Sequence, residues 1–412
     1  MPPTRADLQA LDRADPLASL RDCFALPEGV IYLDGNSLGA LPRATPARVA
    51  QVVEQEWGRG LIRSWNDAGW MALSARVGDK IARLVGAAAG TVMVGDSTSV
   101  NIFKLLAAAL AARPDRRVIV SERGNFPTDL YIAEGLAALL GRGHTLRLVE
   151  ADAIPAALDA DVAAVMLTHV NYHTGAMHDM AATTRAAHAH GALMLWDLAH
   201  SAGAVPVDLA GCDADLAVGC GYKFLNGGPG APAFLYVAPR LQPTLQYPLT
   251  GWLGHAAPFA FETGYRPGPG IARTVVGTPP VLSLAALEVG VDLALEAPIT
   301  DLREKSIRQT TLFAELLAAL PEAWGFRLAS PADPARRGSQ VCLAHPDGYA
   351  IMQALIARGV IGDFRAPDIL RFGITPLYTR HVDLWDAAEA LRAVMQHGEW
   401  QNPAYRTARA VT

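Results

Sequence analysis

Six short apolar runs alternate with helix-like segments, and that alternation leaves few folds open. The runs cover residues 92–94, 117–121, 145–149, 163–168, 192–197 and 214–220. Helical patterns follow Ser99, run to about Leu140 and occupy residues 180–190. Strands that read as unbroken apolar runs are buried on both faces, so the pattern predicts an α/β fold with a large, doubly wound, mostly parallel sheet. Ligands of such sheets gather outside the C-terminal strand ends. Thr168, Asp197 and Lys223 fall there, as do the loops carrying Ser99 and Asp129.

The last run leads into Gly221-Tyr222-Lys223 and a turn rich in Gly and Pro that ends at Gly230. Such a turn leaves backbone free to approach a ligand. Lysine is scarce: of 35 Lys+Arg, only Lys80, Lys104, Lys223 and Lys305 are lysines. The other three lie in helix patterns and read as solvated. A desolvated lysine loses its proton readily and forms Schiff bases. A lysine at a strand end pointing into water is the alternative, and this stretch alone does not decide between them.

Other stretches carry two readings each. Asp96-Ser97-Thr98-Ser99 opens a helix, where hydroxyls and free N–H groups make either a phosphate site or an ordinary N-cap. The strand at Ile31 breaks into a polar loop with Asn36 and Ser37, which lines a site or merely turns. Residues 44–57 and 74–86 have helix periodicity, and the stretch between them reads as a loop bearing Trp65 and Trp70. Two indoles there form a packed wall or join the core. Residues 125–129 read as a loop after the second run. Beyond Pro280 come long helix patterns over 281–295 and 301–320, then short strands, a helix at 350–358 and a closing helix at 383–397. This reads as a second, smaller α+β domain, with Arg371 on a strand beside a turn.

Composition excludes several classes. The 412 residues are 51% apolar and 18% charged, with a net charge of -5, which lacks the basic excess of a nucleic-acid binder. The first residues have no apolar core of a secretory signal, and no uncharged apolar run approaches the ~20 residues of a membrane span. Cys23, Cys212, Cys220 and Cys342 form no CxxC pair and read as reduced thiols of a cytoplasmic enzyme. His169, His173 and His178 lack a HExxH pattern, so no metal is expected.

A lysine for a Schiff base, an aspartate on a neighbouring strand end and a hydroxyl-capped helix form a set. Phe126 in the 125–129 stretch adds a ring face. Pyridoxal phosphate needs these parts: the aspartate keeps the pyridine nitrogen protonated, so that the ring accepts electrons. An arginine can grip an amino acid's carboxylate in a bidentate pair.

With Ser97-Thr-Ser-Val-Asn, Phe126-Pro-Thr-Asp, Asp197-Leu-Ala-His, Gly221-Tyr-Lys and Arg371-Phe-Gly in this order, the chain resembles the kynureninase family. That family consists of pyridoxal-phosphate hydrolases of the aspartate-aminotransferase superfamily (fold type I). Tyr32-Leu-Asp-Gly-Asn-Ser-Leu-Gly and Gly251-Trp-Leu-Gly-His fit it too, and the likeness runs from about residue 30 to about 380. The resemblance implies that Lys223 carries the cofactor and shuttles the substrate α-proton. It implies that Asp197 pairs with the pyridine nitrogen with Asp129 nearby, and that Phe126 stacks on the ring within the Phe126-Pro127-Thr128-Asp129 motif. Thr98 and Ser99 would bind the cofactor at their helix head, with Thr168 and His200 flanking it. Tyr222 would contact the phosphate and relay protons. Trp252 and Thr278 would reach the cofactor from the second subunit of a homodimer. Arg371 would grip the substrate carboxylate, with Asn36, Ser37 and Trp65 also on the substrate side. Trp65 and Thr278 offer little to a ring hydroxyl, so plain L-kynurenine is expected to be preferred over the 3-hydroxy compound.

The implied reaction is hydrolysis of L-kynurenine to anthranilate and L-alanine, in tryptophan breakdown. Three parts are expected: residues 1–45 packing with the small domain, a cofactor-binding domain over 46–285 and a small domain over 286–412. The rival readings are a cysteine desulfurase or aminotransferase of the same superfamily, and a non-catalytic cofactor-binding protein. A desulfurase needs a thiolate on a mobile loop, whereas Cys342 lies in an alternating run that reads as a packed strand.

Overall fold

A computed structural model describes residues 3–407. In chain order, α1 (Arg5–Ala14) starts with a capping box between Thr4 and Asp7, and β1 (Ile31–Tyr32) follows. Next come α2 (Thr45–Gln51), a π-helical stretch (Val52–Gly60), α3 (Ser64–Asp67) and α4 (Trp70–Leu84). The region expected as a loop with two tryptophans is therefore largely helical. Trp70 opens α4, and its indole donates to Glu56 Oε2 at 2.7 Å, while Arg48 holds Oε1 at 2.6 Å. Trp65 packs edge-on against it, with ring centroids 5.6 Å apart. Periodicity misses these turns because Gly60 and Gly69 interrupt it.

The strand–helix alternation then appears as read. It comprises β2 (Val92–Val94), α5 (Thr98–Ala111), β3 (Val118–Glu122), α6 (Pro127–Leu140), β4 (Thr145–Val149) and β5 (Val162–Thr168). α7 (Met180–Ala189), β6 (Leu193–Asp197), β7 (Leu216–Gly219) and β8 (Phe234–Val237) complete it. The seven strands form one sheet in the order β2-β8-β7-β6-β5-β3-β4. All neighbours from β7 to β4 are parallel, and only β8 runs antiparallel to its two neighbours. Every residue of β5 is buried, as a strand covered on both faces must be. Each large apolar side chain so removed from water contributes about 1.5–3 kcal/mol.

α8 (Val281–Ala294) and α9 (Ile299–Ala318) lead to β9 (Arg327–Leu328), β10 (Gln340–Ala344) and α10 (Gly348–Ala357). β11 (Val360–Ile361), β12 (Asp363–Arg365), β13 (Ile369–Gly373) and α11 (His381–Gln396) follow. A four-stranded antiparallel sheet has the order β12-β13-β10-β9, and β1 pairs in parallel with β11.

The chain divides into two compact units. One comprises Thr45–Tyr172 and His178–Asp292 and holds the seven-stranded sheet. The other comprises the chain up to Ala44, the short His173–Met177 and everything from Leu293 on. Its core includes Leu8 of α1, Leu33 after β1, Phe313 of α9, Phe372 of β13 and Leu384 of α11.

The lysine expectation needs correcting. Lys104 and Lys305 are not solvated: they are 2% and 3% exposed. Lys305 pairs with Asp15 at 2.6 Å, and Lys104 with Asp96 at 2.7 Å. Lys80 binds Glu288 and Asp292.

Candidate active site

The C-terminal ends of the parallel strands open on a cavity of about 640 Å³ within the larger unit. Ten of the expected residues line it: Thr98, Ser99, Phe126, Thr128, Asp129, Thr168, Asp197, His200, Tyr222 and Lys223. Strand ends and the starts of α5 and α6 converge there because consecutive βα crossovers return each strand end to the same edge.

Lys223 follows β7 by four residues. The approach is tight: a Cβ on Gly221 would stand 2.5 Å from the Pro232 carbonyl oxygen and 3.0 Å from Leu287 of α8. Only glycine lets the strand end press so close to that helix. Lys223 Nζ lies 2.9 Å from His200 Nε2. It also lies 6.0 Å from the centre of the Phe126 ring and 5.7 Å from that of Tyr222.

Asp197 ends β6, and Asp129 is in the first turn of α6. Both are buried. Burial pushes both carboxyls above the usual range; the charge of Asp197 raises Asp129 further, whereas the hydrogen bond between the two lowers Asp197. Asp197 accepts from the Ala199 N–H at 2.8 Å and feels Lys223, which favour its charge. Asp129 is raised further, and its Oδ2 has no donor among the described residues. Asp129 is therefore the partner that keeps a proton. Residues 127–129 belong to α6 rather than to a loop, since Pro127 at the first helical position is preorganised for the turn. Pro127 itself is not among the residues lining the cavity.

Asn125 sets this corner. Its Oδ1 accepts from Thr168 Oγ1 and from the Phe126 N–H at 2.7 Å, while its amide donates to Ser121 Oγ at 3.0 Å. Phe126 meets Tyr172 edge-on, with centroids 5.2 Å apart. At the opposite wall, Ser97 caps α5 by accepting from the Val100 N–H, and Thr98 and Ser99 fill the first turn. The helix head presents free N–H groups and two hydroxyls, the arrangement that favours an anion. Tyr222 has its hydroxyl pushed well above the usual range by burial, so it remains a proton donor.

Besides Pro127, three expected residues of this unit lie outside the cavity. Thr278 lines a second cavity of about 270 Å³ with Asp96, Asn101 and Lys104. Trp252 stacks edge-on against Phe259 and is 41% exposed. Trp65 packs on Trp70 in a small apolar cluster with Val52 and Ala285. Sequence reasoning missed Tyr172 and Asp96 as cavity residues. Tyr172, four residues past a strand end, carried a signal; Asp96 was read only as part of a helix start.

In the other unit, Arg371 on β13 is buried and forms a fork with Asp363 on the adjacent β12, with Nε to Oδ1 at 2.8 Å and NH2 to Oδ2. Ser37 joins it, donating to Asp363 Oδ2 at 2.5 Å and accepting from Arg371 NH2 at 2.7 Å. Arg365 reaches the same Asp363 oxygen at 2.7 Å. With its amide oriented to suit its neighbours, Asn36 accepts from Arg371 Nε at 3.0 Å and donates to Asp34 at 3.3 Å. Asn36 needs Gly373, because a Cβ there would overlap it. The structure thus brings Asn36, Ser37 and Arg371 together, and adds Asp363 and Asp34. Cys342, on the strand opposite Arg371, is buried, and burial pushes its thiol up to about 11. It is not the exposed thiolate a desulfurase requires.

Burial and the charge of Asp363 push Asp34 up to about 8. Its unfolded value is near 3.9, so between about pH 4 and 8 the folded state holds a proton the unfolded state has lost. Stability from this group is full below the unfolded value and falls as pH rises, by at most about 1.4 kcal/mol per pH unit. Asp34→Asn should flatten the fall in Tm between pH 5 and 8, measured by thermal melts; parallel Tm profiles would refute this.

The residues of the larger cavity fit pyridoxal phosphate. Asp197, whose charge Lys223 and the Ala199 N–H favour, suits a cationic ring N–H, Phe126 offers a ring face, Lys223 an amine for an aldehyde, and the α5 head a phosphate cradle.

Comparison with known proteins agrees. Residues 302–391 match the family model of the kynureninase C-terminal domain. A kynureninase of Burkholderia pseudomallei (strain 1106a) is 56% identical over 99% of this chain and 100% of its own length. A kynureninase of Pseudomonas fluorescens is 54% identical with the same coverage. Among solved structures, a C-DES mutant with glycine covalently linked to its PLP cofactor is similar at a TM-score of 0.78 and 18% identity, covering 90% of this chain and 98% of that one. The cysteine desulfurase CsdA of Escherichia coli is similar at a TM-score of 0.76 and 21% identity, covering 92% and 98%. At these identities the two structures speak for the fold, pyridoxal-phosphate fold type I.

Proposed function

The chain belongs to the kynureninase family, and on that premise we propose how its own residues divide the hydrolysis of L-kynurenine to anthranilate and L-alanine. One observation carries the reading: Lys223 Nζ stands 2.9 Å from His200 at the wall of a cavity that also holds the Asp129–Asp197 pair. The enzyme depends on pyridoxal phosphate, which supplies a conjugated ring able to take up the electron pair left when the substrate α-proton departs.

Thr98, Ser99 and the head of α5 would hold the phosphate, and Phe126 would offer its face to the ring. Asp197 keeps the ring nitrogen protonated, and Asp129 holds its own proton and limits the local negative charge. Lys223 binds the cofactor and carries the α-proton, with His200 as the hydrogen-bond partner of its Nζ. Tyr222, whose ring centre lies 5.7 Å from the same amine, is the neutral acid of the site, and Thr168 fixes Asn125 and through it the Phe126 corner. Arg371, charged and held rigid by Asp363 and Ser37, takes the substrate carboxylate. Burial opposes its charge, but the hydrogen bond and charge of Asp363, with Asp34 nearby, outweigh that and raise its already high affinity for a proton. One water is consumed at the aryl ketone carbon as the Cβ–Cγ bond breaks, so the chemistry needs acid–base groups at both ends of the substrate.

Trp252 and Thr278 are read as the contribution of a second copy in a homodimer with shared sites. The exposed Trp252, Phe259 and Phe261 on one segment support that reading, since such residues favour an interface. Among the described residues no helix is long and apolar enough to cross a membrane, and a cytoplasmic location is proposed. Trp65 and Thr278 are assigned to the aryl pocket, with plain kynurenine preferred; a comparable kcat/KM for the 3-hydroxy compound would refute that.

The test is direct. Cofactor-loaded protein mixed with L-kynurenine should release equimolar anthranilate, followed by fluorescence, and alanine. Release of neither would remove the reading.

A further inference from the structure

Lys104 is the most deeply buried lysine of the chain. It is the single charged residue of α5, whose neighbouring Ile102, Leu105, Leu106 and Ala108 are all core. Its ammonium donates to Asp96 Oδ2 at 2.7 Å and to the Thr274 carbonyl at 2.9 Å. Asp96 lines the cofactor cavity beside Ser97, Thr98 and Ser99. Its backbone has φ +54°, the left-handed region that Asp and Asn enter most easily after glycine. The backbone therefore fixes a carboxylate at the lip of the helix head. Such a charge, left bare, would oppose an anion drawn to the free N–H groups there.

We propose that Lys104 is a positioning residue for the cofactor phosphate: by neutralising Asp96 from the core side, it keeps the 96–99 cradle open to a dianion. The inference rests on the reading of Thr98 and Ser99 as that cradle. It explains why a lysine is buried in an otherwise apolar helix at all. Burial draws its affinity for a proton below the usual range, and the hydrogen bond and charge of Asp96 oppose that shift. The pair thus presents a dipole, not a net charge, to the site.

The experiment measures the affinity of the apo-protein for pyridoxal phosphate and, separately, for pyridoxal, which lacks the phosphate. Wild type, Lys104→Met, Asp96→Asn and the double variant are titrated by fluorescence, with far-UV circular dichroism to check folding. Lys104→Met should weaken pyridoxal phosphate about tenfold or more and leave pyridoxal nearly unchanged. The double variant, with both charges gone, should return to within about threefold of wild type. A merely structural role for Lys104 would weaken both ligands alike, and that result overturns the proposal. So does undiminished binding of pyridoxal phosphate by Lys104→Met, or a double variant as weak as the single one. If Lys104→Met does not fold, Asp96→Asn and the double variant decide: each should bind the phosphate form at least about as tightly as wild type, and weaker binding by either is contrary. Failure of the cradle itself looks different. Wild type would then bind the two ligands equally, and Thr98→Ala/Ser99→Ala would change nothing, which overturns both readings together.

Discussion

Lys223→Ala is expected to lower turnover of L-kynurenine by about 10⁴-fold or more and to abolish the visible absorption of the lysine-linked cofactor. No other lysine can take its place. Lys80 is tied to Glu288 and Asp292, Lys104 to Asp96, and Lys305 to Asp15 in the other unit. Folding should be spared, because Lys223 is only half-buried and its Nζ meets a histidine rather than a carboxylate. A Tm within a few degrees of wild type checks this. Residual activity of more than a few per cent, or a retained visible band, would show that the amine acts elsewhere.

The second large effect separates the two buried carboxyls. Asp197→Ala should lower kcat/KM for L-kynurenine by about 10³-fold, because a ring nitrogen without a counter-charge in a desolvated site loses its proton. Asp129→Asn should cost only about tenfold, since asparagine resembles the neutral carboxyl already present there. Anthranilate fluorescence gives both numbers. Equal losses would mean that both carboxyls carry charge, against the geometry in which Asp197 alone accepts the Ala199 N–H.

The legible part of the molecule was the part built from local pattern. β3 and β5 to β7 appear in the sequence as apolar runs because a strand covered on both faces is largely apolar, and their ends mark the site without further help. Lys223 and Asp197 were readable on those grounds, and the family resemblance supplied roles. What depends on distant partners was not readable. The pairing of Arg371 with Asp363 follows from two strands lying side by side, and β12 is too short to show a period. Strand β8, a short run after a glycine turn, gave no sign of running antiparallel. Lys104 and Lys305 were misjudged because helix periodicity assigns a lysine to water by default. In α5 there was a warning: with apolar residues on nearly every side of the helix, its one charge had no solvated face to occupy.

The pairing of β1 with β11 bears on how the protein is made. Ile31 lies beside Val360, so one of the first strands to leave the ribosome waits for a partner more than three hundred residues behind it. At translation rates of about 5–20 residues per second, that wait lasts some tens of seconds. The seven-stranded sheet, closed by β8 at Val237, is complete long before. During the interval the nascent chain carries a finished sheet with an unpaired leader in front of it. The leader's apolar residues, Leu8, Leu33 and their neighbours, are then open to chaperones. A stop codon between the end of the larger unit at Asp292 and β11 would leave that state permanent, so such truncated products should be degraded rather than accumulate as a working larger unit.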